Sequence, residues 1–163
     1  MAIETNKHGV KVYTPRKKTK KEKARKNLQQ YINPDGSRKE SSIERKVREF
    51  LEEYGIYFKQ EKFLQWQGKW KSYDFYLTDG EHYNILIECD GEYYHPDDTQ
   101  RKLNKLQRKN KRNDNFKDEL AKAFGIPLLR FRENQIKFKF NEVKEAIIAE
   151  ITRQKEQLST DNL

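Results

Sequence analysis

Three carboxylates and an imidazole lie close together in the middle of the chain. In the stretch SYDFYLTDGEHYNILIECDGEYYH (72–95), Asp74 sits inside one aromatic and apolar run. Glu88 and Asp90 end a second such run, and His95 follows shortly after. Burying an unpaired carboxylate in a strand is expensive, so acids at these positions call for a reason. Oxygen donors of this kind suit a hard divalent cation, Mg²⁺ or Mn²⁺. Such an ion activates water and neutralises charge developing on a phosphodiester. His95 would then serve as general base, or as acid for the leaving oxygen; the plainer alternative is a surface histidine in an aromatic loop. Cys89, alone between the two acids, reads as a small hydrophobe and not as a nucleophile.

The residues around these groups predict the elements that position them. Asp79-Gly80 is a hairpin signal between two strands. By alternation, Ser72, Asp74 and Tyr76 face one way and Tyr73, Phe75 and Leu77 the other. Tyr83, Ile85, Ile87 and Cys89 share a face opposite Leu86, Glu88 and Asp90. If Asp74 joins the side of Glu88 and Asp90, three acids surround one cation, but parity alone does not fix the register. Upstream, Ser41/Ser42 caps a helix to Tyr54 with Ile43, Val47, Phe50, Leu51 and Tyr54 as its stripe. Glu44 favours the dipole in its first turn. Ile56–Leu64 reads as a strand and Trp66–Lys71 as a polar connection.

Downstream, Asp97/Asp98/Thr99 is the expected cap of a helix from about Gln100 to Phe124. Its first half is basic, with Arg101, Lys105, Arg108 and Arg112 placed to meet phosphates and Leu103 and Leu106 as apolar contacts. A solvated helix face is the plainer reading of that charge. Pro127–Phe131 follows as a short strand, and Asn141 to about Gln157 as a closing helix with Val143, Ile147, Ile148 and Ile151 inward. The predicted order is helix, three strands, helix, strand, helix: an α/β core with a four-stranded mixed sheet.

Charge divides the 163-residue chain unevenly. Residues 1–40 hold twelve Lys/Arg against four acids, which accounts for +8 of the net +9. Residues 1–40 therefore read as a basic N-terminal arm, 41–157 as the folded domain and 158–163 as a frayed tail. Lys17, Lys18, Lys20, Lys21 and Arg25 lie on a segment, 17–32, with only a thin apolar stripe, suited to following a phosphate backbone. A solubilising tail is the alternative. One cysteine excludes an internal disulfide and a multi-cysteine zinc site. The sequence has no membrane-length apolar run and no secretory leader pattern, so a soluble, intracellular protein is expected.

From Ser41 to about Arg132 the chain resembles the PD-(D/E)xK nuclease superfamily. It is more similar to the very-short-patch-repair endonuclease branch and the related phage homing endonucleases with a Glu–Asp–x–His–Asp signature. SSIERKVREFLEEYGIYFK, KSYDFYL, CDGEYYH and NKRNDNFKDELAKAFGIPLLRF carry the resemblance, in that order. It implies a restriction-endonuclease-like fold, catalytic roles for Glu44, Asp74, His95 and Asp114, and a divalent metal. The metal is held by the side chains of Glu88 and Asp90 with Asp74, or by Asp74 with the Cys89 carbonyl. Tyr93 and Tyr94 stand where relatives insert aromatics into DNA; packing beneath the loop is the alternative. Two departures are plain: Tyr73 replaces the proline before the aspartate, and no lysine follows the acid in Glu88-Cys89-Asp90.

The resulting expectation is an Mg²⁺- or Mn²⁺-dependent endonuclease cleaving double-stranded DNA at a specific site, of the homing type, located in host cytoplasm if phage-encoded. No membrane or small-molecule cofactor is expected. A monomer would nick, and cutting both strands needs a homodimer or sequential nicks. The alternatives are a mismatch- or structure-directed nickase and a non-catalytic nucleic-acid-binding protein on the same fold.

Overall fold

The computed structural model describes residues 2–5, 11–14, 33–34, 39–92 and 103–161. The chain forms two compact units, Met1–Glu40 and Ser41–Leu163. In the first, β1 (Ala2–Thr5) and β2 (Lys11–Thr14) pair antiparallel, from Ala2↔Thr14 to Thr5↔Lys11. The sequence showed no period there, since four-residue strands are too short to display one.

The second unit runs α1 (Ser42–Glu53), β3 (Phe58–Trp66), β4 (Lys69–Thr78), β5 (Asn84–Asp90), α2 (Lys105–Ala123), β6 (Leu128–Arg132), α3 (Glu133–Phe138) and α4 (Phe140–Asp161). Its four-stranded sheet has the order β3-β4-β5-β6. β3–β4 and β4–β5 are antiparallel and β5–β6 parallel, so the sheet is mixed as expected. Ile43, Val47, Phe50 and Leu51 of α1 pack on one face with Phe75, Leu77, Ile85 and Ile87, joined by Ile136 of α3 and Val143 and Ile147 of α4. Leu120 and Ala121 of α2 cover the other face with Leu64, Tyr73 and Leu86.

Several boundaries differ from the sequence expectation. Trp66–Lys71 is not a loose connection. β3 and β4 meet through the two-residue turn Gln67-Gly68, with φ of +48° and +73°. Two positive φ values twist a hairpin the way its strands twist, so the strands run right up to the turn. The β4–β5 connection is the longer one, residues 79–83. Asp79 Oδ1 accepts from the Glu81 and His82 amides at 3.1 and 2.8 Å, and its Oδ2 lies 3.1 Å from His82 Nδ1. Slight burial works against ionisation here, but these bonds outweigh it and bring Asp79 down to about 2.

α2 begins at Lys105 and not near Gln100, because Asn104 and Gln107 form the capping box. Asn104 Oδ1 accepts from Gln107 N at 2.9 Å and Gln107 Oε1 from Asn104 N at 3.0 Å. The expected cap at 97–99 lies outside the described residues. Only the second half of α2 docks on the sheet, so Leu106 is exposed. α4 continues to Asp161 where a frayed tail was expected from 158. Ser159 Oγ donates to Lys155 O and Thr160 Oγ1 to Gln157 O along that last turn. Ile148 is exposed, because Val143 and Ile147 already fill the inward stripe of α4. No helix among the described residues is long and apolar enough to cross a membrane.

Candidate active site

Asp74 sits where two ladders fail. Between β3 and β4 the ladder runs from Phe58↔Leu77 to Trp66↔Lys69 with an interruption at the Glu61/Asp74 step. Glu61 carries a φ of +54° there, a left-handed backbone unusual for a residue with a Cβ. The β4–β5 ladder runs from Thr78↔Asn84 to Phe75↔Ile87 and stops just before Asp74 and Glu88. The break also upsets the alternation. Tyr73 packs with Leu64, Leu86 and Leu120, the face opposite Phe75 and Leu77, whereas parity placed all three together. The Cys89 amide donates to Asp74 Oδ2 at 2.8 Å. The side chain of Asp74 is thereby anchored to the end of β5.

Glu88 and Asp90 point to the α2 face, as alternation predicts, and each meets a cation from another element. Glu88 is 5 % exposed, and Lys117 Nζ of α2 donates to its Oε1 and Oε2 at 2.8 and 2.7 Å. Burial pushes the Glu88 carboxyl up to about 7; Lys117 pulls it down and the Asp74 charge pushes it further up. Arg130 of β6 reaches both oxygens of Asp90 at 3.3 Å, donates through Nε to Asp118 at 2.8 Å and through Nη2 to the Asp114 carbonyl at 3.3 Å. Its Nη1 also lies 3.9 Å from Glu88 Oε2 and from Asp114 Oδ1. Tyr73 fixes α2 from below: its hydroxyl donates to Lys117 O at 2.8 Å, and burial with the nearby Glu88 charge raises it to about 12.

Glu44 completes the ring of acids. It is the N3 residue of the α1 capping box, its Oε2 accepting from Ser41 N at 3.0 Å while Ser41 Oγ accepts from Glu44 N at 3.2 Å. Its side chain is nonetheless buried, and its charge reaches the end of β5. There the Cys89 thiol is pushed far up, first by burial and then by Asp74, Glu44, Glu88 and Asp90. A thiol held so firmly protonated is no nucleophile.

The fold thus brings Glu44, Asp74, Glu88, Cys89, Asp90 and Asp114 to one end of the sheet, with Lys105, Arg108 and Arg112 further up α2. His95, Tyr93, Tyr94, Arg101 and the arm residues Lys17, Lys18, Lys20, Lys21 and Arg25 lie outside the described residues. Among the described residues no group of three or more His, Cys, Asp or Glu side chains is placed to hold a metal ion. The sequence reading missed Lys117 and Arg130. Lys117 had left a signal: it lies three residues after Asp114 and four before the buried Ala121, on one helical face. No family model matches the chain, nor does any curated protein or solved structure.

Proposed function

We propose that this chain is a divalent-metal-dependent endonuclease that hydrolyses phosphodiester bonds in double-stranded DNA at a specific site, a homing-type member of the PD-(D/E)xK superfamily near the very-short-patch-repair branch. The observation that carries the reading is Asp74. It stands at a break in both ladders, beside a left-handed Glu61, with its carboxylate tied to the end of β5. Backbone irregularity of this sort concentrates at functional sites. Lys117 supplies from α2 the cation that the sequence lacks after Glu88.

The donor set suits Mg²⁺ or Mn²⁺ better than Zn²⁺. Mg²⁺ is commonly held by one or two carboxylates and completes its shell with water and phosphate oxygens, so three converging protein ligands are not required. Asp74 would hold it, together with Glu88 or Asp90 or with the Cys89 carbonyl. When bound, the ion supplies a Lewis acid for the phosphate and an acidified water. Of the chain's own groups, Lys117 and Arg130 neutralise the surrounding acids, and His95 takes or returns the proton.

A second reading, a non-catalytic nucleic-acid-binding protein, is favoured by the closed Glu88–Lys117 and Asp90–Arg130 pairs. Nicking of supercoiled plasmid at low salt with Mn²⁺ separates the two, comparing wild type, Asp74→Ala and an EDTA control. Metal-dependent nicking lost in Asp74→Ala supports the enzyme. Salt-sensitive binding that the substitution leaves unchanged, with no nicking by either protein, supports the binding-only reading. A substrate series of matched duplex, mismatch and junction then distinguishes the site-specific enzyme from a structure-directed nickase.

A further inference from the structure

The turn end of the β3–β4 hairpin leaves three large aromatic side chains uncovered. Trp70 is 61 % exposed, Phe63 53 % and Trp66 41 %. In an antiparallel ladder opposed residues share a face. Trp66 opposes Lys69, whose ammonium stands over the Phe116 ring of α2 at 5.4 Å, so Trp66 lies on the α2 side. Phe63 opposes Ser72 and Trp70 opposes Gln65, which places both aromatics on the other side. The ribbon therefore shows aromatic surface on both faces. A flat partner would cover only one.

Charge narrows the partner. Residues 62–71 contain Lys62, Lys69 and Lys71 and no acid. Lys71 Nζ bonds Asn113 Oδ1 and lies 5.4 Å from the Phe116 ring, so the ribbon is braced against α2 one residue from Asp114. The hairpin lies on the same strand as Asp74, with Trp70 four residues before it. Lys62, Lys69 and Lys71 all lie on the α2 side of the ribbon with Trp66, and Trp70 lies on the other. A grooved polyanion would therefore meet charge on one wall and an aromatic ring on each. The major groove of B-DNA is about 12 Å wide and admits a two-stranded ribbon.

We infer that the Trp66–Lys69 end of the β3–β4 hairpin inserts into a groove of duplex DNA, with Trp66 and Trp70 against its walls and Lys62 and Lys69 toward phosphates. This rests on the DNA-binding reading above and adds a contact surface to it. Trp66 and Trp70 are the only tryptophans in the chain, so intrinsic tryptophan emission reports on this hairpin alone.

The test titrates the full-length protein with an unlabelled 30-base-pair duplex at low salt with EDTA, following tryptophan emission. Fluorescence anisotropy of the same duplex, end-labelled, measures binding independently. The expected result is emission quenched or shifted along the same saturation curve as the anisotropy. Trp70→Ala should bind roughly tenfold more weakly, the loss typical of a central aromatic anchor, and Trp70→Phe should recover most of it. Trp70 is exposed, so circular dichroism melts of both variants should match wild type. Binding by anisotropy with flat emission and an unaltered Trp70→Ala affinity would overturn the hairpin contact while leaving the DNA reading intact. Absence of any binding would overturn both. Emission that responds to protein concentration without DNA would show a second copy on this surface and also overturn the proposal.

Discussion

Lys117 on α2 places its ammonium 2.7 Å from the Glu88 carboxylate on β5, inside a site where both side chains are almost wholly buried. The pair joins the helix that carries Asp114 to the strand that ends in Cys89 and Asp90. Its geometry is that of an ion pair, yet burial holds Glu88 up to about 7 against an ordinary 4.5. Glu88 therefore titrates near neutrality.

The sign follows from linkage. The unfolded chain releases the Glu88 proton at lower pH than the folded one, so this group's contribution is full below about 4.5 and is lost as pH rises through about 7. The loss is about 3 kcal/mol. In Lys117→Met only the more distant Arg130 opposes burial, and Glu88 moves higher still. Urea unfolding should then show a small difference from wild type at pH 5 and a much larger one at pH 8. Equal destabilisation at both values would mean that Lys117 acts by packing alone.

Arg130 binds Asp90 and Asp118 side chains and the Asp114 carbonyl at once. Only a planar, multiply donating fork can do so, and an ammonium cannot. Arg130→Ala leaves Asp90 without this buried partner and should lower stability by about 3 kcal/mol. Arg130→Lys should recover less than half of that in the same denaturation assay. Full recovery by lysine would reduce Arg130 to a generic positive charge.

Much of this arrangement was legible in the sequence, and the illegible parts share a cause. The alternation in NILIECD put Glu88 and Asp90 on one side of the sheet, and the stripe Ile43–Val47–Phe50–Leu51 set the face of α1. These are local periodicities. Lys117 is 29 residues from Glu88 and Arg130 is 40 from Asp90, so only the packing of α2 and the parallel β5–β6 pairing brings them together. Asp74 was found because an acid inside a strand is conspicuous. Its orientation was not, because the alternation of β4 on which it was argued breaks between Tyr73 and Phe75, opposite Glu61, and no residue type announces a left-handed glutamate.

The basic arm makes a separate prediction under the DNA reading. Replacing Lys17, Lys18, Lys20, Lys21 and Arg25 with glutamine should weaken duplex binding and flatten its salt dependence. The slope of log affinity against log salt should fall by up to about 4.5, near 0.9 for each phosphate no longer neutralised. An unchanged slope would assign the arm to solubility or localisation.

The β3–β4 turn offers a stabilising change. Gln67 holds a φ of +48° before Gly68, where Asn-Gly is the favoured pair. Gln67→Asn should raise stability by up to about 1 kcal/mol, the scale of left-handed strain in residues with a Cβ. A melting temperature at or below that of wild type would count against the turn geometry.

Glu61 tests whether the break in the sheet is what aims Asp74. A β-branched residue tolerates φ near +54° poorly, so Glu61→Val should draw the strand toward regular pairing with Asp74. Asp74 would then turn away from the Cys89 amide, and under the proposed nuclease reading metal-dependent nicking should fall by roughly 100-fold, as small misplacements of a catalytic group do. Glu61→Gly adopts the left-handed backbone freely and should keep nicking within a few-fold of wild type. Stability should separate from activity: Val suits a strand, so Glu61→Val should be no less stable than Glu61→Gly while being far less active. Equal activity in the two variants would mean that Asp74 reaches the end of β5 without help from the break.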